Sequence, residues 1–366
     1  MAVYFDDARL DDESALAAAD DQLRALAEAG ARVRREAGDA AEAIAEAVAG
    51  ALGDTRPRAV VAAGPDSRLL RAVLEPSCPV PFVAWPNAGL PGWAGSLDLV
   101  VVLAPEGSDP GAASAVAEAV RRGCRVVVAC PPRSLVADHA VGRDCTVLPC
   151  GSGDQLAAAV VTLQVLDRLD LGPDSDPEAV ALALDDVAVT CSPYRDLAVN
   201  PAKTLAIALA DTTPLLWGGS VLAARAARRI AESVRRASGR TALAEDADHL
   251  LPVIAAATPP DPFADPFDDD EDGDRRPTLV LLDDGSDDPV VREHRARLTG
   301  AASEHRVRVE TIGSDAGTEL ARYAALMATG TYAAAYLGVG LGRGLAAGSA
   351  PGPTMGLGGP DSLPGR

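Results

Sequence analysis

Residues 98–111, which read DLVVVLAPEGSDPG, limit the possible folds of this chain more than any other stretch. An uninterrupted apolar run at 97–103 is followed by a short polar turn with Gly and Pro, and then by a helical pattern at 112–122. Strand, loop and helix in this order form the repeating step of a parallel sheet whose two faces are covered. Such sheets bind ligands at the carboxyl ends of their strands, where the next helix begins and its unpaired N–H groups favour an anion. We therefore predict a ligand site at this loop.

The alternation of strands and helices recurs along the whole chain. Strands are predicted at 59–63, 82–85, 97–103, 126–129 and 146–149, and again at 214–217, 278–282 and 306–312 after a turn-rich linker at 170–177. Residues 12–52 have apolar side chains at helical spacing, and Gly30 and Gly38 are expected to divide them into two or three helices. The pattern predicts an α/β protein with two doubly wound parallel-sheet domains, at 57–172 and 173–337, behind a helical N-terminal segment at 1–56.

Charge and composition argue against several classes of protein. The net charge of −20 does not suit binding to nucleic acid or to anionic membranes. No run of 18 apolar residues occurs, and the acidic N-terminus does not resemble a signal peptide, so we predict a cytoplasmic protein without a membrane span. An Asp-rich stretch at 259–276 is predicted to be a solvated insertion, and the Gly- and Pro-rich residues 338–366 a disordered tail.

Neither a metal site nor a cofactor is predicted. The six cysteines include no C-x-x-C pair, and the four histidines are scattered along the chain. Lys203 is the only lysine, which leaves a single residue that could form a Schiff base.

The order of the elements resembles that of the sugar isomerase (SIS) family. The shared features are a helical N-terminus, two α/β halves and a loop after the third strand of the first half, over roughly residues 10–337. Within the family, the chain is similar to the bifunctional phosphoglucose/phosphomannose isomerases and their TobH-like branch. The resemblance implies a SIS fold in each half, a sugar phosphate as ligand, aldose–ketose isomerisation in carbohydrate metabolism, and a homodimer that completes each site.

Two turns of the chain resemble the phosphate-binding motifs of that family. The turn after the first strand has the form G-x-G-G-S in the family and reads Ala-Gly-Pro-Asp-Ser at 63–67. The loop after the third strand has the form S-x-S-G-x-T and reads Ala-Pro-Glu-Gly-Ser-Asp at 104–109, with the serine one position away. The resemblance implies that four of these residues bind substrate: Gly64, Ser67, Gly107 and Ser108.

Two carboxylates in the second of these turns oppose the family's way of binding phosphate. Glu106 and Asp109 stand in a loop where the family has hydroxyl donors. Two like unit charges about 4 Å apart repel by roughly 1 kcal/mol in water and about 4 kcal/mol at an effective dielectric of 20. This change favours a protein that has lost the family's chemistry.

The catalytic helix of the family, with the pattern N-E-x-x-E-N, matches residues 231–238, which read AESVRRAS. The match places Arg236 at the family's catalytic glutamate, so Arg236 is expected to contact substrate. Glu232, one turn earlier, is the candidate base; the alternative is a solvated carboxylate paired with Arg228 or Arg236. The family opens the sugar ring with a histidine from the partner subunit, and His249 is the candidate here; the alternative is a residue on a helix surface.

A third turn, at 217–220, follows a predicted strand and precedes a predicted helix. Its Gly219 and Ser220 could present N–H groups to an anion, or could simply form a tight turn that needs small residues. Five arginines follow in the next helix and could hold a phosphorylated ligand or balance the acidic insertion: Arg225, Arg228, Arg229, Arg235 and Arg236.

Two main hypotheses result from these residues. The first is an isomerase of glucose 6-phosphate or mannose 6-phosphate. The second is a non-catalytic SIS-fold protein that binds a carbohydrate derivative or regulates another process. A third possibility is a structural partner that docks through the acidic insertion.

Overall fold

The computed structural model describes residues 4–50, 55–257 and 276–343. These residues form two parallel β-sheets with helices on both faces of each, so the predicted α/β architecture with two parallel sheets is confirmed. The acidic insertion up to residue 275 and the tail from residue 344 onwards lie outside the described residues.

The first half consists of N-terminal helices followed by a five-stranded sheet. Its strands are β1 (Val60–Ala63), β2 (Phe82–Trp85), β3 (Leu99–Leu103), β4 (Arg125–Cys130) and β5 (Cys145–Pro149). Its helices are α1 (Glu13–Ala17), α2 (Asp20–Ala27), α3 (Ala29–Ala49), α4 (Ser67–Leu74), α5 (Pro110–Arg121), α6 (Leu135–His139) and α7 (Gln155–Arg168), and a short 3-10 helix lies at Asp7–Leu10.

The second half repeats the alternation around a four-stranded sheet. Its strands are β6 (Thr213–Gly218), β7 (Leu243–Ala244), β8 (Pro277–Asp283) and β9 (Arg308–Gly313). Its helices are α8 (Pro177–Thr190), α9 (Pro201–Leu209), α10 (Val221–Ser238), α11 (Ala247–Ala255), α12 (Pro289–Glu304) and α13 (Glu319–Gly340), with a 3-10 helix at Leu197–Val199.

The strand orders place the turns after β1 and β3 side by side. The first sheet has the order β2-β1-β3-β4-β5 and the second β7-β6-β8-β9, and all pairs are parallel. In the central pair, Ala63 lies opposite Val102, so β1 and β3 end at the same edge. Strand β2 lies on one side of β1, and β3, β4 and β5 lie on the other side, so the strand order changes direction between β1 and β3. Open α/β sheets bind their ligands at such a point.

Alternate residues of each strand enter different hydrophobic cores, as expected for a sheet covered on both faces. Val60 and Ala62 belong to the largest core, whereas Val61 and Ala63 pack with α5. The largest core also contains one face of the second sheet, with helices from both halves: α3, α4, α7, α8, α9, α10 and α13. The other face of the second sheet packs against α11 and α12. The helices between the sheets therefore join the two halves.

Two predictions about helix ends were wrong. Gly38 does not divide the N-terminal segment, because α3 continues through it from Ala29 to Ala49. The predicted tail began at Gly338, but α13 extends to Gly340, where Phe5 packs against the glycine and the N–H of Asp6 donates to its carbonyl at 2.9 Å. The N-terminal segment thus holds the last turn of α13. No helix in the described ranges is long and apolar enough to cross a bilayer.

Candidate functional site

The candidate site lies where α10 crosses from the second sheet to α4, the helix that follows β1. Side chains from both halves lie within electrostatic reach of one another there, and we call them the cleft cluster. Its members are Asp66, Asp109, Gln155, Arg225, Arg229, Glu232 and Tyr323. The cluster joins the turns after β1 and β3 to the middle of α10.

Asp66 occupies the N-cap position of α4 but does not cap that helix with its side chain. Its carboxylate instead accepts a hydrogen bond from Nε2 of Gln155, at 2.5 Å, at the start of α7. Burial raises the pKa of Asp66, and the Gln155 hydrogen bond and the charge of Arg229 oppose this effect. Asp66 therefore links the turn after β1 to the first half's last helix while it faces the arginines of α10.

Glu232 points toward this cluster and is ion-paired. Its carboxylate accepts a hydrogen bond from the guanidinium of Arg229 at 2.8 Å, and both side chains are partly buried. The alternative interpretation of the sequence paired Glu232 with Arg228 or Arg236, four residues away, whereas the observed partner is Arg229, three residues away. The pair with Arg229 keeps the Glu232 carboxylate on the side of α10 that carries Arg225.

Arg225, one turn before Arg229, is largely buried and lacks a carboxylate partner. Its Nε atom is buried without a hydrogen-bond partner, and within the described ranges no carboxylate oxygen lies within 4.0 Å of its guanidinium. Burial lowers the pKa of Arg225, an effect that the nearby phenol of Tyr323 counters. Burial raises the pKa of Tyr323, while the charge of Arg225 acts in the opposite direction.

The turn after β1 carries two of the predicted substrate-binding residues. Gly64 has a φ of +87°, a backbone conformation that favours glycine, and its carbonyl accepts the N–H of Ser67 at 3.1 Å. The Ser67 hydroxyl is buried and has no hydrogen-bond partner among the described residues. Since a buried hydroxyl without a partner is costly, this turn has unused capacity to bind a polar ligand.

The loop after β3, by contrast, is closed by its own groups. Asp109 caps α5 by accepting the N–H of Ala112 at 2.6 Å, so a carboxylate already occupies the place where an anion would meet that helix. The N–H of Gly107 donates to the carbonyl of Ala104 at 2.9 Å. A Cβ atom at Gly107 would lie 2.4 Å from Cβ of Ser134, so packing of the next loop also requires glycine here. The other two side chains of this loop, Glu106 and Ser108, are exposed.

The turn at 217–220 is explained by packing. A Cβ atom at Gly219 would lie 2.2 Å from Cγ1 of Val291, and Ser220 caps α10 by accepting the N–H of Ala223 at 3.0 Å. The Ser220 hydroxyl also donates to the carboxylate of Asp284. These contacts favour the interpretation of a tight turn over that of an anion site.

Arg236 and His249 lie apart from the cleft cluster within one chain. Arg236 is exposed near the end of α10. The His249 side chain is 72% exposed, and its Nδ1 lies 3.8 Å from the carboxylate of Glu245. It belongs to α11, which covers the face of the second sheet opposite α10. The structure thus brings Gly64, Ser67 and Glu232 to one region of the chain and leaves His249 outside it.

Sequence reasoning missed several members of the cleft cluster. Asp66 stood in the quoted motif without a role, and Arg225 and Arg229 were noticed only as part of a basic patch. Gln155 and Tyr323 carry no local signal, because they reach the cluster from helices distant in sequence. Within the described ranges, no group of three His, Cys, Asp or Glu side chains could hold a metal ion.

Two cavities lie elsewhere on the described surface. One, of about 260 Å³, is lined by α3 and β5, and another, of about 720 Å³, lies beside the edge strand β9 and the adjoining ends of α8 and α9. No residue of the cleft cluster lines either cavity. We favour the cleft cluster as the functional site because it lies at the carboxyl ends of β1 and β3.

Comparison with known proteins shows what parts of the chain are similar to. Residues 198–344 match the family described as the bacterial phospho-glucose isomerase C-terminal SIS domain. No curated protein sequence matches the chain.

Solved structures with similar folds extend over nearly the whole chain. A phosphosugar isomerase candidate from Bacillus subtilis is 15% identical, with a TM-score of 0.57 over 84% of this chain and 97% of that one. Tagatose-6-phosphate ketose/aldose isomerase from Escherichia coli is 14% identical, with a TM-score of 0.54 over 82% and 90% of the two chains. The C-terminal domain of glucosamine-fructose-6-phosphate aminotransferase from Francisella tularensis is 13% identical, with a TM-score of 0.52 over 85% and 96%. At these identities the likeness establishes the fold alone. The chain therefore has the SIS fold of these phosphosugar proteins, and its residues 198–344 are similar to a SIS domain of bacterial phospho-glucose isomerases.

Proposed function

We propose that this chain binds a phosphorylated sugar in the cleft between its two sheets, as a cytoplasmic homodimer of the phosphoglucose/phosphomannose isomerase type and its TobH-like branch. One observation carries the proposal: α10 presents Arg229 and Arg225 to the turn after β1, and Glu232 is bound to Arg229. That turn lies at the carboxyl end of a central strand, where open α/β sheets bind their ligands. The similarity of residues 198–344 to a SIS domain of phospho-glucose isomerases supports the same ligand class.

The chemistry of the proposed reaction assigns Glu232 the role of base. Aldose–ketose isomerisation moves a proton between C2 and C1 of the open sugar, and a carboxylate within hydrogen-bond reach of both carbons can remove and return it. The ion pair with Arg229 would fix the position of the Glu232 carboxylate. His249 of the partner subunit would act as the acid for ring opening, because the His249 of the same chain lies on the far side of the second sheet from the cleft cluster.

Non-catalytic binding is the second candidate function, and two observations favour it. Asp109 occupies the helix end at the loop after β3. The resemblance to the family places an arginine, Arg236, where the family has its catalytic glutamate. A protein of this kind would bind a carbohydrate derivative without converting it.

A coupled isomerase assay separates the two candidates. Purified protein is given glucose 6-phosphate, fructose 6-phosphate or mannose 6-phosphate, and melting temperatures are recorded with the same compounds. Turnover that Glu232→Gln abolishes would support the isomerase. Raised melting temperatures without turnover would support the binding protein. Neither turnover nor a shift with any of these compounds would overturn the proposed ligand class.

A further inference from the structure

We propose that the anionic group of the ligand binds to Arg225 and to the turn at Gly64–Ser67, in place of the loop after β3. The inference deepens the proposed function and rests on it for the identity of the ligand. It keeps the turn that the first motif indicates, adds Arg225, which no motif indicates, and leaves out Gly107 and Ser108 of the second motif.

The first support is the uncompensated charge of Arg225. A buried guanidinium without an ionic partner carries a desolvation cost that folding does not recover. Its buried Nε has no hydrogen-bond partner, and within the described ranges no carboxylate oxygen lies within 4.0 Å of the guanidinium. A phosphate bound here would supply the missing negative charge and accept the hydrogen bond of Nε.

The second support is that none of the charged groups around Arg225 forms an ion pair with it. Glu232 is bound to Arg229 at 2.8 Å, and Asp66 accepts from Gln155 at 2.5 Å. The phenol of Tyr323, which lies within electrostatic reach of Arg225, is buried and carries no charge in its ordinary form. Arg225 therefore has no ion-pair partner among the described residues, and Arg68 on α4 adds another positive charge near it.

The third support is the buried hydroxyl of Ser67, which is 1% exposed and has no partner among the described residues. It belongs to the first turn of α4, whose N-cap side chain makes no capping hydrogen bond. A helix start without a side-chain cap favours an anion through the helix dipole. At the loop after β3 the corresponding position is taken by Asp109, so the same group has no place there.

Binding measurements on Arg225 variants test this inference. Isothermal titration calorimetry would be run with inorganic phosphate and with glucose 6-phosphate on the full chain, on Arg225→Met and on Arg225→Lys. We expect Arg225→Met to weaken binding of both probes about ten- to a hundredfold, as for loss of a charge-assisted hydrogen bond. Arg225→Lys should retain part of the affinity, because the charge remains while the planar fork is lost.

Arg228→Met is the matched control, because Arg228 is exposed on the same helix, one turn along from Arg225. We expect it to keep the affinity of the unmodified chain for both probes. Circular dichroism and melting of the ligand-free Arg225→Met protein show whether it folds; removal of an unpaired buried charge should leave its melting temperature unchanged or higher.

The outcomes separate this inference from the proposed function. If glucose 6-phosphate binds folded Arg225→Met as tightly as the unmodified chain, the proposed phosphate position is wrong and the proposed sugar-phosphate function is unaffected. If inorganic phosphate binds only when Arg225 is present, and the chain binds sugar phosphates no more tightly than inorganic phosphate, the anion site is supported and the proposed ligand class is wrong. Absence of binding by either probe to the unmodified chain would overturn both.

Discussion

The ammonium group of Lys203 is fully buried, and three oxygens surround it. Nζ donates to the carboxylate of Asp11 at 2.7 Å and to the carbonyls of Pro193 and Arg195, each at 3.0 Å. The Lys203→Met chain would leave these oxygens without their donor. We expect the free energy of unfolding to fall by about 2–4 kcal/mol, measured by urea denaturation.

The control for this prediction is Asp7→Asn, which removes an exposed charge from the same N-terminal segment. That change should alter the free energy of unfolding by less than about 0.5 kcal/mol. Equal stability of Lys203→Met and the unmodified chain would show that the three hydrogen bonds do not hold the segment in place.

Asp66 should make the stability of the protein depend on pH in a predictable direction. Burial raises its pKa in the folded state, so ionisation there costs more than in the unfolded chain. The penalty is absent below the unfolded pKa, grows as pH rises through the interval between the two values and remains in full above it. Asp66→Asn keeps an acceptor for Gln155 and removes the charge. We therefore expect this variant to be more stable than the unmodified chain at pH 7.

Urea denaturation at several pH values checks this expectation. The difference in free energy of unfolding between Asp66→Asn and the unmodified chain should shrink as pH falls toward about 4. A difference of constant size, or one of opposite sign, would show that the attraction of the α10 arginines outweighs burial.

The roles of single residues were the least predictable part of this molecule. The motif match named Gly64 and Ser67, and their turn leads into α4, the helix that α10 contacts. It could not show that Asp109 caps its own helix, or that Gly107 is required by the packing of Ser134. Capping and packing depend on contacts between distant residues, and a local motif contains no information about them.

At the scale of elements, two glycines of α3 offer a matched pair. A Cβ atom at Gly30 would lie 2.2 Å from the Asp185 carboxylate and 2.7 Å from the carbonyl of Ala181 on α8, whereas at Gly38 it would meet nothing within 4 Å. Gly30→Ala should therefore lower the free energy of unfolding by about 1–3 kcal/mol through overpacking. Gly38→Ala should raise it by about 0.5–1 kcal/mol, because alanine favours a helix interior.

Urea denaturation of both variants provides the measurement, and each serves as the control for the other. Arg34 binds Asp185 at 2.7 Å, so displacement of that carboxylate also disturbs an ion pair between α3 and α8. If both substitutions stabilise the protein, α3 and α8 are far enough apart at Gly30 to admit a methyl group.

The elements themselves were largely predictable. The strands of the first sheet are continuous apolar runs because both faces are covered, and such runs are distinct in sequence. Helix ends were harder to predict. Gly38 is tolerated inside α3 at a cost of about 1 kcal/mol. Gly340, at the end of α13, packs against Phe5. Tertiary contacts decide both cases, and neither glycine signals this by itself.

At the scale of the whole molecule, the separation of Glu232 and His249 predicts a functional homodimer. The two residues lie on helices that cover opposite faces of the second sheet, so one chain cannot bring them together. Light scattering should give about twice the chain mass of 37.3 kDa. A monomeric mass would contradict the proposed role of His249.

Subunit exchange tests whether the two residues act across the interface. Homodimers of Glu232→Gln and of His249→Asn should each lack isomerase activity, because each site then misses its base or its acid. In a hybrid dimer, one site combines the intact Glu232 of one subunit with the intact His249 of the other. An equal mixture after exchange should recover about a quarter of the unmodified activity, since half of the dimers are hybrids with one complete site each. If the mixture stays inactive although exchange has been verified, the two residues do not act across the interface. They would then act within one chain or have no part in the reaction.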